Sequence, residues 1–203
     1  MSDPIKIGIA GLGTVGAGLI KIIQKNSDIL NTRVGRSIEI VAVSALSKTK
    51  DRGVDLSSYQ WEDDPVILAK RDDIDIFVEL IGGEAGQTKE AIEEAIKHGK
   101  HVVTANKAML AVHGQELAIS AENNNVNLRF EAAVAGGIPV IKTLTESLAG
   151  NNIKRIMGVM NGTCNYILTR MEDTGLAYEE IFEEANQLGF LEADPNLDVG
   201  GID

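Results

Sequence analysis

The six residues GLGTVG, 11–16, constrain this chain more than any others. They follow the apolar run IKIGIA at 5–10 and open TVGAGLIKIIQK at 14–25, where apolar residues recur at helical spacing. A strand that turns straight into a helix needs glycine at fixed places. Gly11 permits the tight turn, Gly13 lets a pyrophosphate approach the backbone, and Gly16 lets helix and strand pack closely. The N–H groups at the helix start, aided by the helix dipole, then attract an anion. Gly11, Leu12, Gly13, Thr14, Val15 and Gly16 are therefore expected to hold a dinucleotide, the competing reading being a purely structural glycine turn.

Strand and helix signals continue to alternate, the pattern of a parallel sheet with crossover helices. Strands are expected at 38–46, 73–81, 101–105 and 127–134, and helices at 86–99 and 108–122. The third strand ends at Ile81-Gly82-Gly83, which joins the expected cofactor site. Aromatics are only 4% of the chain, so the core must come from Ile, Leu, Val and Ala, as buried parallel strands require. The expected fold class is α/β, a Rossmann-type doubly wound parallel sheet over 1–134, followed at 135–203 by part of an α+β catalytic and dimerisation domain. In that second region 153–160 reads as a strand, and 164–175 and 177–189 as two helices closed by glycines. The chain stops at DVGGID without a capped element, and it reads as a fragment of a longer protein.

A net charge of −11 disfavours a general nucleic-acid or anionic-membrane surface. It leaves room for a local basic pocket. Cys164 is alone, which excludes an internal disulfide and agrees with a reducing compartment. Neither a signal peptide nor an apolar membrane-length run is visible, and the cytoplasm is the expected location. Glu179, Glu180, Glu183 and Glu184 could be read as a metal cluster, but their spacing fits a solvated helix face. His98, His101 and His113 have no catalytic partner identifiable in the sequence.

The acid that usually meets the adenosine ribose is missing, because the second strand ends at Ser44-Ala45. Lys48, Lys50 and Arg52 follow. Either they neutralise a 2′-phosphate or they are solvated loop charges; NADP is slightly favoured, with NAD open. A further lysine, Lys107, stands on the turn after the strand HVVTA, where α/β proteins present ligands.

The strings TANK at 104–107, EAAVAGGIP at 131–139, NGTCNYIL at 161–168 and EADPNLDVGGID at 192–203 follow the glycine loop in order. With them the whole chain resembles the homoserine dehydrogenase family. That resemblance implies an NAD(P)-dependent interconversion of L-aspartate 4-semialdehyde and L-homoserine, in the biosynthesis of threonine, isoleucine and methionine. It implies a homodimer formed through the second domain of the full-length protein, and in many members a C-terminal regulatory domain. Lys107 would orient the carbonyl beside the nicotinamide and relay a proton. Glu192 and Asp203 would meet the substrate's ammonium group, with Asp198 in support, and Asn161, Gly162 and Thr163 would line the pocket. Cys164 stands where many relatives have threonine and reads as a packing residue. Glu131 with the carbonyls of Val134, Gly136 and Ile138 resembles the family's site for a monovalent cation such as sodium, or else forms a glycine hinge. Relatives carry a second lysine four residues beyond the position of Asp203, so this piece alone is expected to be inactive. Competing readings are another Rossmann-type dehydrogenase of a small carbonyl or amino-acid substrate, and a non-enzymatic NAD(P)-sensing module.

Overall fold

The computed structural model describes residues 3–158 and 161–188. The chain divides into two compact units, Met1–Ala149 and Gly150–Asp203. The first unit begins β1 (Ile5–Ala10), α1 (Thr14–Lys25), α2 (Ser27–Val34), β2 (Ile38–Ser44), β3 (Gln60–Glu62) and α3 (Pro65–Ala69). It continues β4 (Ile76–Glu79), α4 (Gln87–Lys97), β5 (His101–Thr104), α5 (Lys107–Asn123) and β6 (Leu128–Arg129). Two short helices, α6 (Glu131–Val134) and α7 (Val140–Lys142), then lead into a π-helical turn at Thr143–Ser147. The described part of the second unit holds α8 (Gly162–Thr174) and α9 (Tyr178–Gln187).

All strand pairings are parallel, in the order β3-β2-β1-β4-β5-β6. This is the doubly wound order, and it reverses between β1 and β4. Connections leave those two strands in opposite directions, which opens a crevice at their carboxyl ends. Alternation along each strand feeds two cores. Ile7 and Ile9 of β1 pack with Ile20 of α1, Val43 and Val78 on one face. Ala10 joins Phe77, Ile92, Ile96, Val102 and Met109 on the other. Burial on both faces explains why the strands read as near-continuous apolar runs. Each fully buried Ile or Phe contributes on the order of 1.5–3 kcal/mol.

The expected order of elements and the α/β class hold, and the ends of β1 and α1 fall where the sequence placed them. Three expectations need correction. Residues 127–134 make only a two-residue strand followed by α6, because the Glu131 carboxylate turns back to accept the backbone N–H groups of Ile141 and Lys142, both at 2.8 Å. The described part of the expected strand 153–160 forms no strand, and Ile156 and Met157 are exposed. No strand lies beside it among the described residues, and an isolated strand gains nothing from its apolar alternation. Finally, α2, β3 and α3 were not anticipated. Helix α3 is nucleated by an N-cap, Asp64 accepting from Val66 N at 2.7 Å, with Pro65 in the first turn.

The expected domain division at 134/135 and the observed one at 149/150 differ by the segment that Glu131 ties to the first unit. In the second unit, α8 and α9 pack through Ile167, Ile181 and Ala185. Tyr166 and Arg170 of α8 both bond Glu184 of α9, Arg170 Nε at 3.1 Å.

Candidate functional site

The crevice at the sheet's reversal point is where the glycine loop sits. Gly11 has φ +95°, and a Cβ there would lie 2.3 Å from Leu80 O of the turn after β4. At Gly16 a Cβ would lie 2.0 Å from Gly11 O, so helix and loop touch backbone to backbone. Nothing lies within 4 Å of the position a Cβ would take on Gly13. That open space, beside a helix whose N-cap Gly13 offers no side-chain acceptor, fits a pyrophosphate seated on the backbone. Thr14 and Val15 are exposed on the same turn, whereas Leu12 is buried and packs in the core.

A cavity of about 300 Å³ runs on from this loop, lined by Gly11, Gly13, Ser44, Leu46, Arg52 and Ile81 among others. No acidic side chain stands at the end of β2, where Ser44 is buried and Leu46 fully exposed. Arg52 behaves differently from a solvated loop charge. Its Nε donates to Leu12 O at 3.0 Å, and its other two nitrogens donate to Lys50 O at 2.7 Å and Ser47 O at 2.5 Å. The guanidinium also lies 5.7 Å from the Trp61 ring centroid. It braces the glycine loop against the loop that follows β2. Lys48 and Lys50 are exposed, and Lys50 also lines the cavity.

Across the crevice, Ile81, Gly82 and Gly83 form the turn after β4, with φ of +90° and +87° at the two glycines. Thr88 Oγ1 donates to Gly82 O at 3.1 Å and Asn106 Nδ2 to Gly83 O at 2.7 Å. The same Asn106 caps α5, its Oδ1 accepting from Met109 N at 3.0 Å. Lys107 is the first residue of α5 and its side chain is exposed. Because β5 lies beside β4, the turn that carries Lys107 is on the same sheet end as the glycine turns.

The sequence assigned no role to Glu79, nor to Thr104 and Asn106 within TANK, yet all three join these turns. Glu79 is fully buried, and its carboxylate accepts from Ile81 N at 2.7 Å, Gly82 N at 3.0 Å and Thr104 Oγ1 at 2.5 Å. A glutamate closing an otherwise apolar strand, FVEL, was the available signal.

Of the remaining expected site residues, Asn161 caps α8, accepting from Cys164 N at 2.7 Å, with Gly162 as the helix's first residue and Thr163 buried. Glu192, Asp198 and Asp203 lie outside the described residues. Among the described residues, no cluster of three or more His, Cys, Asp or Glu side chains could hold a metal. None of the described helices is long and apolar enough to cross a membrane.

Doubly wound order, a glycine cradle at the reversal point and an adjoining cavity define the first unit as a dinucleotide-binding α/β domain. The family profile described as "Homoserine dehydrogenase, NAD binding domain" matches residues 11–131, and that described as "Homoserine dehydrogenase" matches 139–203. The chain belongs to the homoserine dehydrogenase family. It is 48% identical to the homoserine dehydrogenase of Neisseria gonorrhoeae over 98% of its own length and 46% of the relative's. Identity to the Bacillus subtilis enzyme is 45%, again over 98% and 46%. Among solved structures, the Thiobacillus denitrificans homoserine dehydrogenase superposes with a TM-score of 0.89 at 41% identity, over 97% of this chain and 45% of that one. A hyperthermophilic archaeal homoserine dehydrogenase in complex with NADPH superposes with a TM-score of 0.82 at 30% identity, over 98% and 66%. The chain thus spans about half the length of the curated relatives it matches.

Proposed function

We propose that the full-length protein interconverts L-aspartate 4-semialdehyde and L-homoserine with NAD(P)(H), and that Lys107 acts at the reacting oxygen. The observation that carries this reading is the placement of an exposed lysine at the start of α5, on the same sheet end as the glycine cradle. The cofactor, when bound, supplies the hydride to the aldehyde carbon. Lys107 orients the carbonyl oxygen, stabilises the negative charge that grows on it and passes it a proton. Because Lys107 is the first residue of α5, the positive helix end reinforces its field at that oxygen. Glu192 and Asp203, with Asp198 behind them, are assigned to the substrate's ammonium group, and Asn161, Gly162 and Thr163 to the pocket wall.

For the cofactor, Gly11 to Gly16 take the pyrophosphate and Ile81, Gly82 and Gly83 the nicotinamide side. NADP is the favoured partner: β2 ends without the carboxylate that would repel a 2′-phosphate, and the loop that follows carries exposed Lys48 and Lys50, of which Lys50 lines the cavity. The cation site is assigned to the carbonyls of Val134, Gly136 and Ile138 with Glu131. Hard oxygen donors support it, and Glu131 would serve it through lone pairs left over from its bonds to Ile141 and Lys142. Homodimerisation through the second domain and a cytoplasmic location complete the reading; the lone Cys164 accords with a reducing compartment.

Oxidation of NADPH by the full-length protein, followed with L-aspartate 4-semialdehyde and with a panel of other small aldehydes and ketones, tests this directly. Turnover selective for the semialdehyde is expected, and its absence defeats the reading. Lys107→Ala should lower kcat by roughly a hundredfold or more while cofactor affinity stays within about threefold. Unchanged turnover would remove Lys107 from the chemistry.

A further inference from the structure

The buried carboxylate of Glu79 needs a reason to exist. It sits at the end of β4 with no exposed surface, and among the described residues it accepts three hydrogen bonds, none of them from a lysine or arginine. Burying a carboxylate without a counter-cation is costly unless donors are fixed around it. Its donors belong to two separate turns. Ile81 N and Gly82 N come from the turn after β4, and Thr104 Oγ1 from the end of β5. Thr104 carries the link onward, because its oxygen accepts from Asn106 N at 3.0 Å. Asn106 then closes the circuit by donating to Gly83 O at 2.7 Å while capping the helix that starts with Lys107. The three side chains that make the circuit are buried: Glu79 is 0% exposed, Thr104 1% and Asn106 5%.

We infer that Glu79 and Thr104 are positioning residues that fix the Lys107 turn against the glycine turn at 81–83, so that the lysine is set by the same frame that holds the cofactor. This rests on the functional reading above and deepens it. Simple β-ladder pairing ends at Glu79 and Thr104, so the pleat no longer fixes the distance between the two turns beyond that point. The circuit takes over there. Gly82 and Gly83, both at positive φ, contribute no side-chain packing to hold their own turn. Breaking the link should leave the cofactor able to bind through the phosphate loop, and should leave the lysine mispositioned.

Thr104→Val removes the bridging hydroxyl at nearly constant shape, and Thr104→Ser restores it. In the full-length protein the valine variant should lose roughly tenfold or more in kcat, as expected for a misplaced reacting group. Its dissociation constant for NADPH should stay within a factor of about three, as predicted for an intact phosphate loop. The primary deuterium isotope effect on kcat with 4-deuterated cofactor should rise, as hydride transfer becomes limiting. Thr104→Ser should recover most of the turnover. The inference is overturned if Thr104→Val turns over like the wild type, or if kcat falls only with the folded fraction while the isotope effect stays constant. If Thr104→Val does not fold, Glu79→Gln must show the same split between kcat and cofactor binding, and its failure to do so overturns the inference equally. A wild type without semialdehyde turnover defeats the functional reading itself; a competent wild type with indifferent variants defeats only the positioning role.

Discussion

At the scale of single residues, two glycines three positions apart do different work. A methyl on Gly16 would lie 2.0 Å from the Gly11 carbonyl oxygen, so Gly16→Ala must push α1 away from the loop. Overpacking of this kind costs about 1–3 kcal/mol, and thermal melts should show it. Gly13 has a φ of −74° and empty space around its missing Cβ. Gly13→Ala should therefore change stability by no more than roughly 1 kcal/mol. Its effect should fall on NADPH affinity, because the methyl occupies the space assigned to the pyrophosphate. Equal loss of stability in both variants, or undiminished affinity in Gly13→Ala, would contradict this division. These glycines were legible in the sequence because the strand-turn-helix that demands them is local: the oxygen that excludes a side chain at Gly16 belongs to Gly11, five residues earlier. Arg52 was legible only as a charge. That it donates to Leu12 O, forty residues away in the chain, depends on the return of the chain through β2, which no local pattern encodes. Glu79 was hidden for a similar reason, since its partners lie on the neighbouring strand.

Among elements, the edge strand β3 shows how a marginal piece is fastened. It is three residues long and pairs only with β2 in the sheet. Arg71, in the connection after α3, reaches back to it, donating to Glu62 Oε1 at 2.5 Å and Gln60 Oε1 at 2.7 Å. The same guanidinium holds Asp73 through two bonds, at 2.8 and 2.6 Å. Hydrogen bonding from Arg71, partly opposed by burial, keeps the Asp73 carboxyl below its ordinary range. A carboxylate lowered in the folded state stabilises above its unfolded value, near 4, and that contribution fades as pH falls further. Arg71→Met should lower stability at neutral pH and flatten the acid limb of the stability profile below about pH 4. A profile parallel to the wild type's through that range would show that the pair does not contribute. Helix α4 was read correctly because it combines strong periodicity with a terminating glycine, Gly99 at φ +71°. The segments misread, 127–134 and the described part of 153–160, had strand-like composition, but among the described residues only Leu128–Arg129 finds a neighbouring strand. Pairing is a long-range property, and composition alone cannot supply it.

For the whole molecule, the net charge of −11 is compatible with a polyanionic cofactor because the cofactor's contacts are local. Backbone N–H groups, one helix terminus and the lysines near Arg52 provide positive potential at one end of the sheet. Strand order, glycine cradle and Lys107 turn belong to a single unit, whereas the proposed acidic partners of the substrate belong to the other. The most direct test is a structure of the full-length protein with NADP and L-homoserine bound. Lys107 Nζ should lie about 3 Å from the homoserine hydroxyl oxygen, with the Glu192 or Asp203 carboxylate at similar distance from the amino group. Lys107 facing solvent, with the amino acid bound in a cleft that does not include that turn, would contradict the proposed function.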